Sequence, residues 1–137
     1  MGNVLCAVKA VILHEGKFLL LEQEVADESF LDLPGGRIEY GETPYQALLR
    51  EVKEETTLSV EIVRPLGCFW FIHPTKDEIV CLTFLCRIVE GAVDISQNPA
   101  QESISRFEWI TRQNFLETKA EKCNPSLYDL IQSMDEE

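Results

Sequence analysis

Glu51, Glu54 and Glu55 stand three and four residues apart in a stretch that carries no proline or glycine between Tyr45 and Leu58. An α-helix turns by about 100° per residue, so these three carboxylates would share one stripe of its surface. Like charges at such spacings cost about 0.2–0.5 kcal/mol per pair in an isolated helix. Lys53 points to another side, which leaves Arg50 as the nearby cation able to offset them. Two chemistries suit the stripe. It could be a solvated, slightly frustrated helix face, or a seat for a hard divalent cation, since Mg²⁺ and Mn²⁺ prefer carboxylate oxygens. The stripe alone leaves both open.

The element that must hold it is well signalled. Thr43 suits an N-cap, Pro44 the first helical position, and Gln46 completes a capping box, which predicts a helix over about 43–56. Tyr45, Leu48, Leu49 and Val52 recur at helical spacing as its apolar face, with the glutamates mostly away from it. Upstream, Val4–His14 and Lys17–Gln23 read as a hairpin about Glu15-Gly16, and Phe30–Leu33 as a short strand stopped by Pro34-Gly35-Gly36. Downstream, Val60–Ile72 and Glu78–Val89 are β-rich and parted by a turn at residues 73–77. Ser103–Ile110 is a further strand, and Asn124–Met134 a C-terminal helix with Leu127, Leu130, Ile131 and Met134 on one side. Strands dominate, and the pattern suggests an α+β or α/β sandwich with helices covering a mixed sheet.

Bulk properties narrow the setting. With 137 residues, 45% of them hydrophobic and 26% charged, the chain is expected to form one globular domain over residues 1–137. Its apolar runs are strand-sized, so no membrane span is expected, and its first residues do not read as a signal peptide. The five cysteines, Cys6, Cys68, Cys81, Cys86 and Cys123, are odd in number and lack zinc-like pairing; they point to a reducing cytoplasm without disulfides. A net charge of −12 repels nucleic-acid backbones, so nucleic acid is not an expected partner. A phosphorylated small molecule could bind if cations were supplied locally.

From Gly36 the chain runs five residues to Glu42, then seven more to Arg50-Glu51-Val52-Lys53-Glu54-Glu55-Thr56-Thr57-Leu58. This resembles the Nudix box, G-x5-E-x7-R-E-U-x-E-E-x-G-U with U aliphatic, at every defined position except Thr57, where the family has glycine. Leu33-Pro34-Gly35 also resembles the usual lead-in. The resemblance implies a Nudix-like α/β/α sandwich and a hydrolase of MutT-like type that cleaves diphosphate linkages in nucleoside diphosphate derivatives or triphosphates with Mg²⁺, or Mn²⁺ in its place. A glycine at the helix end normally supplies a left-handed φ, so the last turn is expected to end differently with Thr57.

The resemblance further implies that Glu51 and Glu55 ligate the metal with help from Glu54, and that the Gly36 carbonyl is the backbone ligand. Arg50 is implied to hold a catalytic glutamate by a charge-assisted hydrogen bond, and Glu42 to fix the loop before the helix. The general base is implied to be a box glutamate, Glu51 or Glu54, or one from a downstream loop, where Glu102 is the candidate. For the substrate, Phe30 and the strand end Phe69–His73 offer aromatic surface. Alternation means either Trp70 or the Phe69/Phe71 pair can face a cleft, but not both. Phe30, Trp70 and Phe71 are the candidates, while Asp27 and Glu28 could meet a sugar or base and His73 reads as a loop residue. Gly35, where dinucleoside polyphosphate and inositol pyrophosphate enzymes of the family often have lysine, argues mildly against both classes. Pro74 falls within a residue of a proline frequent in ADP-ribose hydrolases. Related proteins are often homodimers. Two rivals stand beside the enzyme: a catalytically silent Nudix domain that senses a nucleotide, and an acidic interaction module.

Overall fold

A computed structural model describes residues 2–25, 27–97 and 104–134. The strands are β1 (Val4–His14), β2 (Lys17–Val25), β3 (Glu28–Asp32), β4 (Gly35–Arg37), β5 (Ser59–Ile72), β6 (Glu78–Glu90) and β7 (Ile104–Ile110). The helices are α1 (Pro44–Thr56), α2 (Arg112–Thr118) and α3 (Pro125–Ser133). The strands join in the order β3-β2-β1-β6-β5, with β4 added on β1 and β7 on β2. β1 runs parallel to β6 and every other pairing is antiparallel, so the sheet is mixed, as expected.

Alternation along β1 explains the layers. Ala7 and Val11 face a core closed by Phe115 of α2 and Leu127, Leu130 and Ile131 of α3, whereas Val8, Ala10 and Ile12 face a second core closed by Ala47, Leu48 and Val52 of α1. A strand buried on both sides is apolar nearly throughout, as this one is. The architecture is the α/β/α sandwich.

Several local expectations change. β1 and β2 pair only beside their turn, through Leu13–Phe18 and His14–Lys17, because β4 and Pro34 take the same edge of β1 at residues 7–10. The strand before Pro34 ends as expected, at Asp32, but Gly35 and Gly36 then begin a further strand, β4. α2 was not signalled by sequence: it is seven residues long and buries Phe115. On α1, Tyr45 and Leu49 are 56% and 42% exposed, and the buried half of the helix comprises Ala47, Leu48, Val52 and Thr56 together with Glu51 and Glu55. Glu51 and Glu55 therefore lie within the inward face, not away from it, while Glu54 stays part-exposed. At the outer sheet edge, the Ser126 hydroxyl of α3 accepts the Trp70 N–H (2.9 Å) and donates to the Trp70 carbonyl (2.6 Å).

Candidate active site

α1 begins as its sequence dictates. The Thr43 hydroxyl accepts the Gln46 N–H at 3.1 Å, and the Gln46 side chain accepts the Thr43 N–H at 3.0 Å. It ends at Thr57 with φ 66° and ψ 2°, the left-handed conformation that the family's glycine would take. The helix thus ends in the usual way with an unusual residue. The Thr57 hydroxyl donates to the Ala92 carbonyl at 2.7 Å, which offsets part of the strain.

The glutamates meet β4. Register sets Gly36 opposite Val8 and Gly35 opposite Lys9. Gly35 has φ 144° and its N–H donates to Glu55 Oε1 at 2.7 Å. A β-carbon at Gly35 would overlap the Val8 carbonyl, and one at Gly36 would overlap the Glu51 carboxylate. The two glycines therefore let the strand backbone lie directly against the helix carboxylates.

Arg50 organises the outer side. Its Nε and Nη2 donate to the two oxygens of Glu42 at 2.7 and 2.9 Å, a bidentate grip, and Nη2 also reaches the Arg37 carbonyl at 3.2 Å. Nη1 donates to Glu51 Oε1 at 2.8 Å and to Glu54 Oε2 at 3.3 Å. The Arg50 contacts, with the Glu39 N–H that Glu42 also accepts, hold the Glu42 carboxyl down at about 2. The same contacts, Glu42 foremost, raise Arg50 above its ordinary value. Among the described residues no three histidine, cysteine, aspartate or glutamate side chains are already gathered into a cation-holding group. The donors nonetheless suit a hard cation: all are oxygens, and the glycine cradle brings backbone against carboxylate.

Beside β4 lies a cavity of about 340 Å³ lined by Lys9, Phe30, Asp32, Gly35, Gly36 and Phe71, among others. Phe30 and Phe71 thus reach the cleft, Phe69 is buried in the core, and Trp70, 53% exposed, lies on the opposite face of β5 and is not among the cavity's lining. His73 lines the cavity too, its ring bonded to the Thr75 hydroxyl, which its loop position had not suggested. Glu28 borders an adjoining cavity of about 310 Å³ that shares Phe30 and Phe71. Glu102 lies outside the described residues.

Sequence reasoning passed over one feature of this cavity. Lys9 Nζ donates to Asp32 Oδ2 at 2.8 Å and to the Leu33 carbonyl at 3.3 Å, while Asp32 Oδ1 accepts the Leu33 N–H at 2.8 Å. Both side chains are only 7% exposed. Burial pulls the Lys9 ammonium down, but Asp32 and Glu55 outweigh it and hold the group above its ordinary value. The signal was a lysine in the middle of an otherwise apolar strand.

The chain matches the NUDIX domain model over residues 6–131. It is 32% identical over 121 residues to a MutT-like protein of Streptomyces ambofaciens, covering 88% of this chain and 72% of that one. It is 36% identical over 109 residues to a Caenorhabditis elegans protein assigned as nudix hydrolase 1, a match that takes in 76% of this chain but 26% of the worm protein. In structure it resembles the MutT protein of Methanosarcina mazei, with a TM-score of 0.81 at 23% identity over 96% of this chain and 92% of that one. Glycine cradle, carboxylate helix and arginine clamp all fall inside the matched residues, and the chain belongs to the NUDIX family.

Proposed function

We propose that this chain hydrolyses the diphosphate linkage of a nucleoside diphosphate derivative or a nucleoside triphosphate. The observation that carries the reading is the seating of Gly36 against Glu51, a fit that any side chain at position 36 would spoil. The Gly36 carbonyl with Glu51, Glu54 and Glu55 would hold Mg²⁺, or Mn²⁺ in its place. Bound there, the ion would offset phosphoryl charge and lower the pKa of water.

The rest is work for the chain's own groups. Water oxygen bonds to one phosphorus as the bridging P–O bond breaks, and a proton passes from the water to a carboxylate base. Glu54, with its side chain 34% exposed, can serve as that base, as can Glu51; Glu102 is the candidate that the sequence adds. Arg50 acts through its partners: it is a positioning residue that aims Glu51 and Glu54. Phe30 and Phe71 would flank the moiety attached to the diphosphate.

A second reading, a nucleotide-binding domain without turnover, draws support from the Arg50 ion pairs, which occupy Glu51 and Glu54. Product analysis across a panel of nucleoside diphosphate derivatives and triphosphates, with Mg²⁺ or Mn²⁺, separates the two. The enzyme reading expects metal-dependent release of phosphate or a nucleotide fragment, lost nearly completely in Glu55→Gln. No turnover anywhere in the panel would favour the sensor.

The setting is part of the same proposal. We read residues 1–137 as one domain acting on a small-molecule nucleotide in the cytoplasm, where the five free thiols would stay reduced. Burial pushes the Cys81 and Cys86 thiols up to about 12, which keeps them inert. No described helix is long and apolar enough to cross a membrane. Nucleic acid is disfavoured by the charge of −12, and a homodimer is the assembly we expect.

A further inference from the structure

The buried Lys9–Asp32 pair lies in the wall of the cleft, beside Gly35, whose N–H meets Glu55. The pair is neutral overall, so it offers nothing to a second anion. What it offers is hydrogen bonding left over after its internal contacts. An ammonium has three donors, of which Asp32 and the Leu33 carbonyl take two. A carboxylate can accept about four hydrogen bonds, and each Asp32 oxygen shows one, from Lys9 or from the Leu33 N–H. One N–H and an acceptor position on each carboxylate oxygen remain.

The surroundings say what kind of ligand could use them. Phe30 and Phe71 with Ala7 and Ile79 give the cavity apolar walls suited to a flat ring, and its volume of about 340 Å³ accommodates a nucleobase. A guanine-type edge presents one acceptor, the ring carbonyl, beside two donors, the ring N–H and the exocyclic amine. This matches the residual capacity of one donor and two acceptors. Hypoxanthine lacks the second donor, and adenine presents an amine and a bare ring nitrogen.

We infer that Lys9 and Asp32 form the specificity-determining floor of the cleft and select a base with a guanine-type edge, Lys9 donating to the carbonyl and Asp32 accepting both N–H groups. The inference rests on the proposed reading of this cavity as the substrate site. A buried polar pair of this kind discriminates strongly, because a base lacking a partner group leaves it unmatched.

Calorimetric titration of the protein in Mg²⁺ with GMP, IMP, AMP and UMP, none of which carries a diphosphate linkage to cleave, tests it without calling on catalysis. GMP is expected to bind about tenfold or more tightly than IMP or AMP, the discrimination one good bidentate contact supplies. In Lys9→Met/Asp32→Asn, which removes both charges together and so avoids stranding either one, the preference should fall to within about threefold. Equal affinities in the parent protein, binding of none of the four, or a preference that survives in a folded double variant would overturn the inference. The parent measurement decides even if the double variant does not fold. Turnover of the nucleotide panel without base preference defeats this inference and leaves the hydrolase standing; a GMP preference without any turnover does the reverse.

Discussion

A β-carbon at Gly35 would run into the Val8 carbonyl, and one at Gly36 into the Glu51 carboxylate; the first obstacle is backbone in a sheet, the second the end of a side chain. Gly35→Ala should therefore cost about 2–4 kcal/mol in urea denaturation, since φ 144° is strained for any L side chain as well. Gly36→Ala should melt within a few degrees of the parent yet lose at least about tenfold in kcat, because Glu51 must turn aside. Equal effects of the two substitutions on stability would refute this division. Glu42 gives a pH prediction. Its carboxyl sits at about 2 in the folded chain, against an ordinary 4.5, owing first to Arg50 and then to the Glu39 N–H. A depressed folded value stabilises above the unfolded one and is lost as pH falls through the folded one. The melting temperature of the parent should thus fall more steeply between pH 4.5 and 2 than that of Glu42→Gln. Parallel curves would show that the clamp adds no stability.

At the C-terminal end of α1, Thr57 holds φ 66° where glycine would be relaxed, and its hydroxyl bonds to the Ala92 carbonyl. Thr57→Gly relieves about 1 kcal/mol of strain and forgoes an exposed hydrogen bond of about 0.5–1.5 kcal/mol, so stability should change little or rise slightly. Turnover should be unchanged, and a large loss of metal affinity would show that the cap shapes the site. This helix was the most legible element, because its signals are local: a cap, a proline at the first turn, a period. Its facing was misread, since spacing alone cannot tell that Glu51 and Glu55 belong to the buried half while Tyr45 and Leu49 do not; β4, which receives them, is three residues long. The parallel pairing of β1 with β6 joins segments some seventy residues apart and leaves no mark in either. The box residues were readable by their spacing, whereas the Lys9–Asp32 pair emerges only when β1 and β3 are brought together.

Across the whole molecule, a charge of −12 means that any cation screens repulsion to some degree. Specific binding is distinguished by comparing Mg²⁺ with NaCl at equal ionic strength. Mg²⁺ at a hundredfold excess over Kd should add about 2.7 kcal/mol to the folded state, and Glu55→Gln should lose most of that increment. A melting shift that NaCl reproduces, or that the variant keeps in full, would remove the metal from this site. The same acidity bears on how copies of the chain meet, and so does Ser126. By answering both the N–H and the carbonyl of Trp70, one hydroxyl occupies the position a neighbouring strand would need. At that point the outer edge of β5 cannot serve as a template for another backbone. Copies that associate near Trp70 must therefore do so through side chains, and at that point are denied the backbone pairing by which strands recruit strands.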